Sequence, residues 1–311
     1  MAEQTAVSIG TFDGVHLGHQ AILRALQREA DRLGAATAAY AFSYPPRWQV
    51  AERFTGGLLL PEAIKRDLLA QHVGRAIQAT FSDVRDLAPE AFAEDILIRN
   101  LNAVAVVVGT SFRFGSDRSG DPEALRAFGM RLGFEVTVVP QVLIDGAPVS
   151  STRIRALVAE GKVGPAAALL GRPPVLIGRV EPGKRFGRSL GYPTANLAIH
   201  PSILLPANGV YVAVAFLGFP PRSQPHPALL YLGTRPTLYS DTALPYCEVH
   251  LLSPPREHLY GYRLEVHLLE HLRGDLAFPS IEDLRKAIAQ DVACAENRLR
   301  GGTETFHPIG G

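Results

Sequence analysis

Apolar and polar positions alternate in two different ways along this chain. In the first half, short apolar runs trade places with helical spacing. Residues 6–10 form an apolar strand, and residues 20–33 carry Ile22, Leu23, Leu26 and Ala30 at the recurrence of one helix face. Residues 35–42 return as a strand. Val104-Ala105-Val106-Val107-Val108 is unbroken apolar sequence, the pattern of a strand buried on both faces, and 135–139 form another strand. Strands that alternate with helices predict a parallel sheet, with ligands at the carboxyl ends of its strands.

The second half lacks helical spacing until its end. Residues 175–180, 209–216, 228–232, 246–252 and 262–269 are short and strand-like, separated by clusters such as Gly218-Phe219-Pro220-Pro221 and Ser253-Pro254-Pro255. Without crossover helices these strands are expected to be antiparallel, in a barrel or a sandwich. Within 262–269, Arg263, Glu265 and His267 share one face and Leu264, Val266 and Leu268 the other. A closing helix is marked by Ser280 as N-cap and Asp283 near the capping-box position. Its stripe is Ile281, Leu284, Ile288, Val292 and Leu299, and Gly301-Gly302 ends it. The change of pattern near Leu170-Gly171-Arg172-Pro173-Pro174 divides the chain into domains of residues 1–172 and 173–311.

Composition narrows this picture by exclusion. A length of 311 residues has room for two domains. Hydrophobic residues at 47% and charged residues at 20% describe a globular chain and exclude a disordered or fibrous one. Lys+Arg 31 against Asp+Glu 30 advertises neither a nucleic-acid nor a membrane partner. Cys247 and Cys294 lie in different elements without a CxxC spacing, which excludes a disulfide framework and a structural zinc site. The opening five residues lack the basic and apolar stretches of a secretory signal, and no apolar run approaches the ~18 residues of a membrane span. The expectation is a soluble cytoplasmic protein.

Four constellations carry candidate chemistry. In Gly10-Thr11-Phe12-Asp13-Gly14-Val15-His16-Leu17-Gly18-His19, a strand runs through a Gly-rich turn into a helix. A helix N-terminus with free N–H groups binds phosphate, and Gly10, Gly14 and Gly18 permit close backbone approach. His16 and His19, three apart, fall on one face of the first turn and suit charge on phosphoryl oxygens. HxGH in this setting points to nucleotidyl transfer; the bland alternative is a Gly-rich turn with two surface histidines. In Ser150-Ser151-Thr152-Arg153-Ile154-Arg155, hydroxyls and guanidinium groups suit a triphosphate or, more simply, cap a helix with a solvated face. In Gly187-Arg188-Ser189-Leu190-Gly191-Tyr192-Pro193-Thr194-Ala195-Asn196, Thr194 and Asn196 are hard oxygen donors two apart, able to hold Mg²⁺ with a nucleotide phosphate; a plain turn is the alternative. In Tyr246-Cys247-Glu248-Val249-His250, Glu248 and His250 share a strand face, where Glu248 could serve as general base or simply be solvated. The stretch Gly178 to Lys184 has GxxxxGK spacing, but Arg185 stands where a P-loop needs Ser or Thr, and no helix follows.

Together and in this order, these motifs resemble the prokaryotic bifunctional riboflavin kinase/FAD synthetase family over nearly the whole chain. GTFDGVHLGH, VVVGTSFRFGSDRSGD and SSTRIR resemble its adenylyltransferase module. GRSLGYPTAN, LGTRPTL, CEVHLL and LYGYRLEV resemble its kinase module. The resemblance implies a Rossmann-like nucleotidyltransferase domain with a parallel sheet, followed by a six-stranded antiparallel β-barrel with a terminal helix. It implies ATP-dependent phosphorylation of riboflavin to FMN, then adenylylation of FMN to FAD, with Mg²⁺ accompanying ATP. By this resemblance Gly10, Phe12, Asp13, Gly14, His16, Gly18, His19, Ser151, Thr152 and Arg155 bind ATP for adenylyl transfer. Gly178, Gly183, Arg188, Pro193, Thr194 and Asn196 bind ATP for the kinase, Thr194 and Asn196 hold the metal, and Glu248 is the catalytic base. Arg113, Phe114 and Arg273 are candidate flavin contacts, and a weak homo-oligomer is the expected assembly. Two positions depart from the family pattern: Pro45 stands where the family has a His, and Ser111 where it often has Asn or Asp. They motivate the alternative of a riboflavin kinase with a degenerate first domain. A flavin-binding regulator without turnover and a different HxGH nucleotidyltransferase are the remaining alternatives.

Overall fold

The computed structural model describes residues 3–43, 57–183, 186–218, 224–233, 246–255, 258–300, 302–303 and 305–309. Contacts divide the chain into two compact units, Met1–Thr55 with Glu62–Ser151, and Gly56–Pro61 with Thr152–Gly311. Residues 152–172 therefore group with the second unit. In that stretch, helix Val163–Leu170 buries Val163, Ala166, Leu169 and Leu170, and packs on a strand of the second unit.

The first unit is a five-stranded parallel sheet in the order β3-β2-β1-β4-β5: β1 Thr5–Gly10, β2 Ala36–Phe42, β3 Arg75–Ala79, β4 Ala103–Gly109 and β5 Glu135–Val139. The apolar runs of the sequence become the central strands. In β4, Ala105, Val106, Val107 and Val108 are all at most 2% exposed, which is why alternation is missing there. Helix α1, Leu17–Leu33, buries Leu23, Leu26 and Ala30 as its spacing predicts, and Gly34 closes it in the left-handed conformation at φ 64°. Helix α2, Glu62–Ala70, follows β2. Helix α3, Pro122–Leu132, is capped by the Asp121 carboxylate, which accepts from the N–H groups of Glu123 and Ala124.

The second unit is a closed barrel in the order β10-β11-β12-β9-β8-β13, every neighbouring pair antiparallel. Its strands are β8 Val175–Glu181, β9 Ala195–Ile199, β10 Gly209–Leu217, β11 His226–Gly233, β12 Tyr246–Leu251 and β13 Arg263–Gly274, numbered after a small hairpin of Leu143–Ile144 and Ala147–Pro148 in the first unit. Five strands fall where the sequence puts them; β9 is additional, begins just after Thr194, includes Asn196, and pairs with β8 and β12. The terminal helix, Ile281–Leu299, packs Val292 and Ala295 on Val210, Val212 and Leu229. Ile281 departs from the expected stripe and is 55% exposed. Strand β13 also departs from simple alternation. Glu265 and His267 are buried, bonded to each other at 2.7 Å, and Ile309 donates its N–H to Glu265. Burial lowers the nearby Arg172 guanidinium to about 10, with Glu265 opposing the shift. No described helix is long and apolar enough to cross a membrane.

Candidate active sites

The strand order of the first unit reverses at β1, and sheets of this kind receive ligands at the carboxyl ends of the strands flanking such a reversal, here β1 and β4. The turn from β1 into α1 occupies that place. It is tightly wound: Phe12, Gly14 and Val15 have φ of 49°, 83° and 40°. Two of these are ordinary L residues, so the turn holds local strain of about 1–3 kcal/mol each. Surrounding contacts hold it: Phe12 and Val15 are buried, and the Ser151 hydroxyl donates to the Asp13 carbonyl at 2.9 Å.

His16 is not in the helix; it is the N-cap of α1. Its Nδ1 accepts the His19 N–H at 3.3 Å. The two imidazole rings stack with centroids 3.6 Å apart, and Phe12 meets His19 edge-on at 5.2 Å. Gly18 makes this possible: a Cβ there would lie 3.1 Å from the His16 ring. Because His16 Nδ1 accepts, a neutral His16 carries its proton on Nε2. His19 Nδ1 is shut off from solvent and has no hydrogen-bond partner among the described residues. Burial, then His16, then Lys65 hold the His19 imidazolium well below its ordinary range.

Helix α2 carries a further buried charge that lies outside the sequence motifs. Lys65 is 3% exposed, and its ammonium donates to Phe42 O at 2.6 Å and Ser43 O at 3.4 Å and pairs with Glu62 at 3.0 Å. Burial raises the Glu62 carboxyl above its usual range, Lys65 opposes the rise, and Asp13 adds to it. A charged residue on the apolar stripe beside Ile64, Leu68 and Leu69 was the available signal.

The other first-unit candidates separate. Phe114 is 6% exposed and belongs to the core, in contact with Phe92, Phe112 and Phe128. Arg113 is exposed and donates to its neighbour's carbonyl, and Ser111 is exposed on the same loop. Pro45 lies outside the described residues. Thr152 is exposed; Arg155 is 9% exposed, and its Nε donates to Gly57 O at 3.1 Å within the second unit.

In the barrel, register does the positioning. Glu248 pairs with Asn196 on β9 and with Tyr231 on β11, so three side chains stand in a row on one face. Glu248 and Tyr231 line an open, largely apolar cavity with Thr194, His250 and Arg273, walled by Leu284 and Ile288 of the terminal helix. Two glycines make room for the oxygen donors. A Cβ on Gly183 would lie 1.9 Å from Asn196 Nδ2, and one on Gly187 would lie 3.1 Å from Thr194 Oγ1. The hard oxygens of Thr194 and Asn196, cradled in this way, fit Mg²⁺, which takes few protein ligands beside phosphates and water.

His250 supports this cradle. Its Nδ1–H donates to Pro193 O at 2.8 Å, and its ring meets Tyr192 edge-on, which fixes the approach to Thr194. At the rim, the Asp291 carboxylate accepts three bonds from Arg273, at 3.1, 3.1 and 2.7 Å, and Tyr231 donates to Asp275 at 2.9 Å. Gly178 lies in β8 with Ala198 O 2.4 Å from where its Cβ would be, so it serves close strand pairing; Arg188 is exposed. Strand geometry through Gly178 excludes a P-loop there, although a four-residue helix, Phe186–Ser189, follows where the sequence predicts none. Burial pushes the Cys247 thiol up to about 12, which leaves it inert.

The comparisons follow the same division. The FAD synthetase family matches residues 1–153 and the riboflavin kinase family residues 170–299. Bifunctional riboflavin kinase/FMN adenylyltransferases from Escherichia coli K12 and Pseudomonas fluorescens are 34% and 36% identical, each alignment covering 93% of this chain and 91% of the relative. A solved structure from Streptococcus pneumoniae, described as a macrolide-efflux protein, matches with a TM-score of 0.84 at 28% identity, covering 96% of this chain and 95% of that one. With the parallel sheet matched by one half of that pairing, the barrel by the other, and full-length relatives in the same order, the chain belongs to the bifunctional riboflavin kinase/FMN adenylyltransferase family.

Proposed function

We propose that the chain phosphorylates riboflavin to FMN at the barrel cavity and joins FMN to the adenylyl group of ATP at the end of β1, releasing pyrophosphate. The observation that carries this reading is the row Asn196, Glu248, Tyr231. A carboxylate stands between a metal-capable amide and a cavity with apolar walls, where a flavin ring could lie.

The two steps ask for different chemistry. In the kinase step the nucleophile is a neutral ribityl hydroxyl, whose proton must leave as it attacks the γ-phosphate. Glu248 is the base that takes it, a role worth roughly 10²–10⁴ in rate. Thr194 and Asn196 would hold Mg²⁺, which offsets phosphate charge when bound. Gly183 and Pro193 set the place of those donors, Arg188 offers a guanidinium to phosphate, and Arg273 borders the flavin.

In the adenylyl step the nucleophile is the FMN phosphate, already an anion, so no base is required. The site must align two polyanions and stabilise charge on the α-phosphate and the leaving pyrophosphate. His16 Nε2–H and the α1 N-terminus are donors for that charge, and His19 lies beside them. Ser151 braces the turn through Asp13.

The test is a time course with riboflavin, ATP and Mg²⁺, with flavins separated by chromatography. FMN should rise and then give way to FAD. FMN accumulating alone would support a degenerate first domain, and no FMN would sink the reading of the barrel.

A further inference from the structure

Lys65 is buried where no apolar contact needs an ammonium. It lies on α2, among Ile64, Leu68 and Leu69, and is 3% exposed. A lysine so placed must be paired or satisfied. Its three N–H donors have three acceptors: Phe42 O, Ser43 O and the Glu62 carboxylate. Phe42 is the last residue of β2, and β2 pairs along β1 up to Gly10, where the phosphate-binding turn begins. With all donors engaged, Lys65 has none left for a substrate oxygen. What remains is its charge and its grip on the strand end.

The geometry points to Lys65 as a positioning residue of the adenylyl-transfer site: its buried ammonium ties down the carboxyl end of β2, the strand that pairs with β1 up to the turn leading to His16. This rests on the reading of the first unit as the adenylyltransferase. The surroundings agree. Lys65 opposes protonation of His19, together with burial and His16. The groups whose charge acts on His19 are His16 and Lys65, while Asp13, Lys65 and Arg66 act on Glu62. Charge fixed in advance in a water-poor site acts on a developing anion without reorganising.

The test uses the full chain, with FAD formation from FMN and FMN formation from riboflavin read on each preparation. Lys65→Met keeps side-chain length and removes the charge; Lys65→Arg keeps the charge and changes the fit. Lys65→Met is expected to lower kcat/KM for ATP in FAD formation roughly 10- to 100-fold. Its riboflavin phosphorylation should stay within about twofold of the parent. Its acid limb of FAD formation should move to higher pH, because His19 loses a cation that opposes its protonation. Lys65→Arg should lose rate and keep the parent's acid limb. Parent-like FAD formation by Lys65→Met overturns the inference, and so does an acid limb displaced equally in both variants, which would mean packing alone. If Lys65→Met also loses riboflavin phosphorylation it has misfolded, and Lys65→Arg decides: a retained limb supports the inference and a displaced one overturns it. A parent that makes no FAD from FMN would instead sink the underlying reading.

Discussion

The two sites are built from opposite materials. At the end of β1 the polar groups are inside: Asp13, His16 and Lys65 are at most 5% exposed, and the rings and carbonyls around them use most of their hydrogen bonds. In the barrel, Thr194, Asn196, Glu248 and His250 are only partly buried, and three of them line an open cavity with apolar walls. The difference matches the nucleophiles of the two proposed steps. A site that receives an anion and another polyanion needs fixed positive dipoles and charge. A site that activates a neutral hydroxyl needs a base that can reach it and water kept away from it. Each unit of the chain is suited to the step its own chemistry can support.

The sharpest way to break this comparison is Glu248→Gln. If the base is needed only for the hydroxyl, FMN formation should fall roughly 10²- to 10⁴-fold, while FAD formation from supplied FMN stays at the parent rate. Both activities falling together in a folded protein would remove the contrast. His16→Ala is the converse and should cost less. Loss of one donor to developing charge predicts a fall in FAD formation of about 10²-fold, with riboflavin phosphorylation unchanged in the same preparation. FAD formation at the parent rate would place the nucleotidyl site elsewhere.

How far the sequence reached differs between the sites. The strand-turn-helix around His16 is legible because its glycines and helix start form a local pattern, the kind that suits phosphate. Its finer structure is not: His16 caps α1 rather than riding on it, and its ring lies over Gly18, a local backbone geometry that residue types alone do not show. Helix α3 is readable from Asp121-Pro122-Glu123 and Gly133, an N-cap, a Pro at the first turn and a left-handed stop. Lys65 is legible only as a charge on an apolar stripe; its role is not, since its backbone acceptors are 22 and 23 residues away. In the barrel, Thr194, Asn196 and Glu248 are legible as residue types, but β9 is not, because it is short, begins inside a turn-like stretch, and is held by four pairings to β8 and two to β12. Phe114 shows the limit of residue type: an aromatic beside a motif became core.

Smaller effects probe how each site is held. Gly183→Ala tests the cradle. Gly183 is not among the residues with positive φ, so Ala fits its backbone, but the added Cβ meets Asn196 Nδ2 at 1.9 Å. The easy relief is for the amide to turn away, which takes a metal-capable oxygen out of place. The KM for MgATP in riboflavin phosphorylation should rise about 10-fold, with FAD formation from FMN unchanged. An unchanged KM would mean that Asn196 does not hold the metal.

The smallest effect separates stability from chemistry. The cavity wall in the barrel comes partly from the terminal helix, through Leu284, Ile288 and Asp291, whereas the site on β1 is built by its own unit. That helix starts at Ser280, whose Oγ accepts the Asp283 N–H at 3.1 Å and donates to the Asp283 carboxylate at 2.7 Å. Ser280→Ala removes both bonds and should destabilise the helix by about 1 kcal/mol. The loss is small against a domain's stability, so at 25 °C riboflavin phosphorylation should be nearly the parent's. In a denaturant titration followed by both activities, the phosphorylation midpoint should shift to lower denaturant and the FAD-forming midpoint should stay. A shared shift would mean that the two units unfold as one, and that the contrast between the sites is one of chemistry alone.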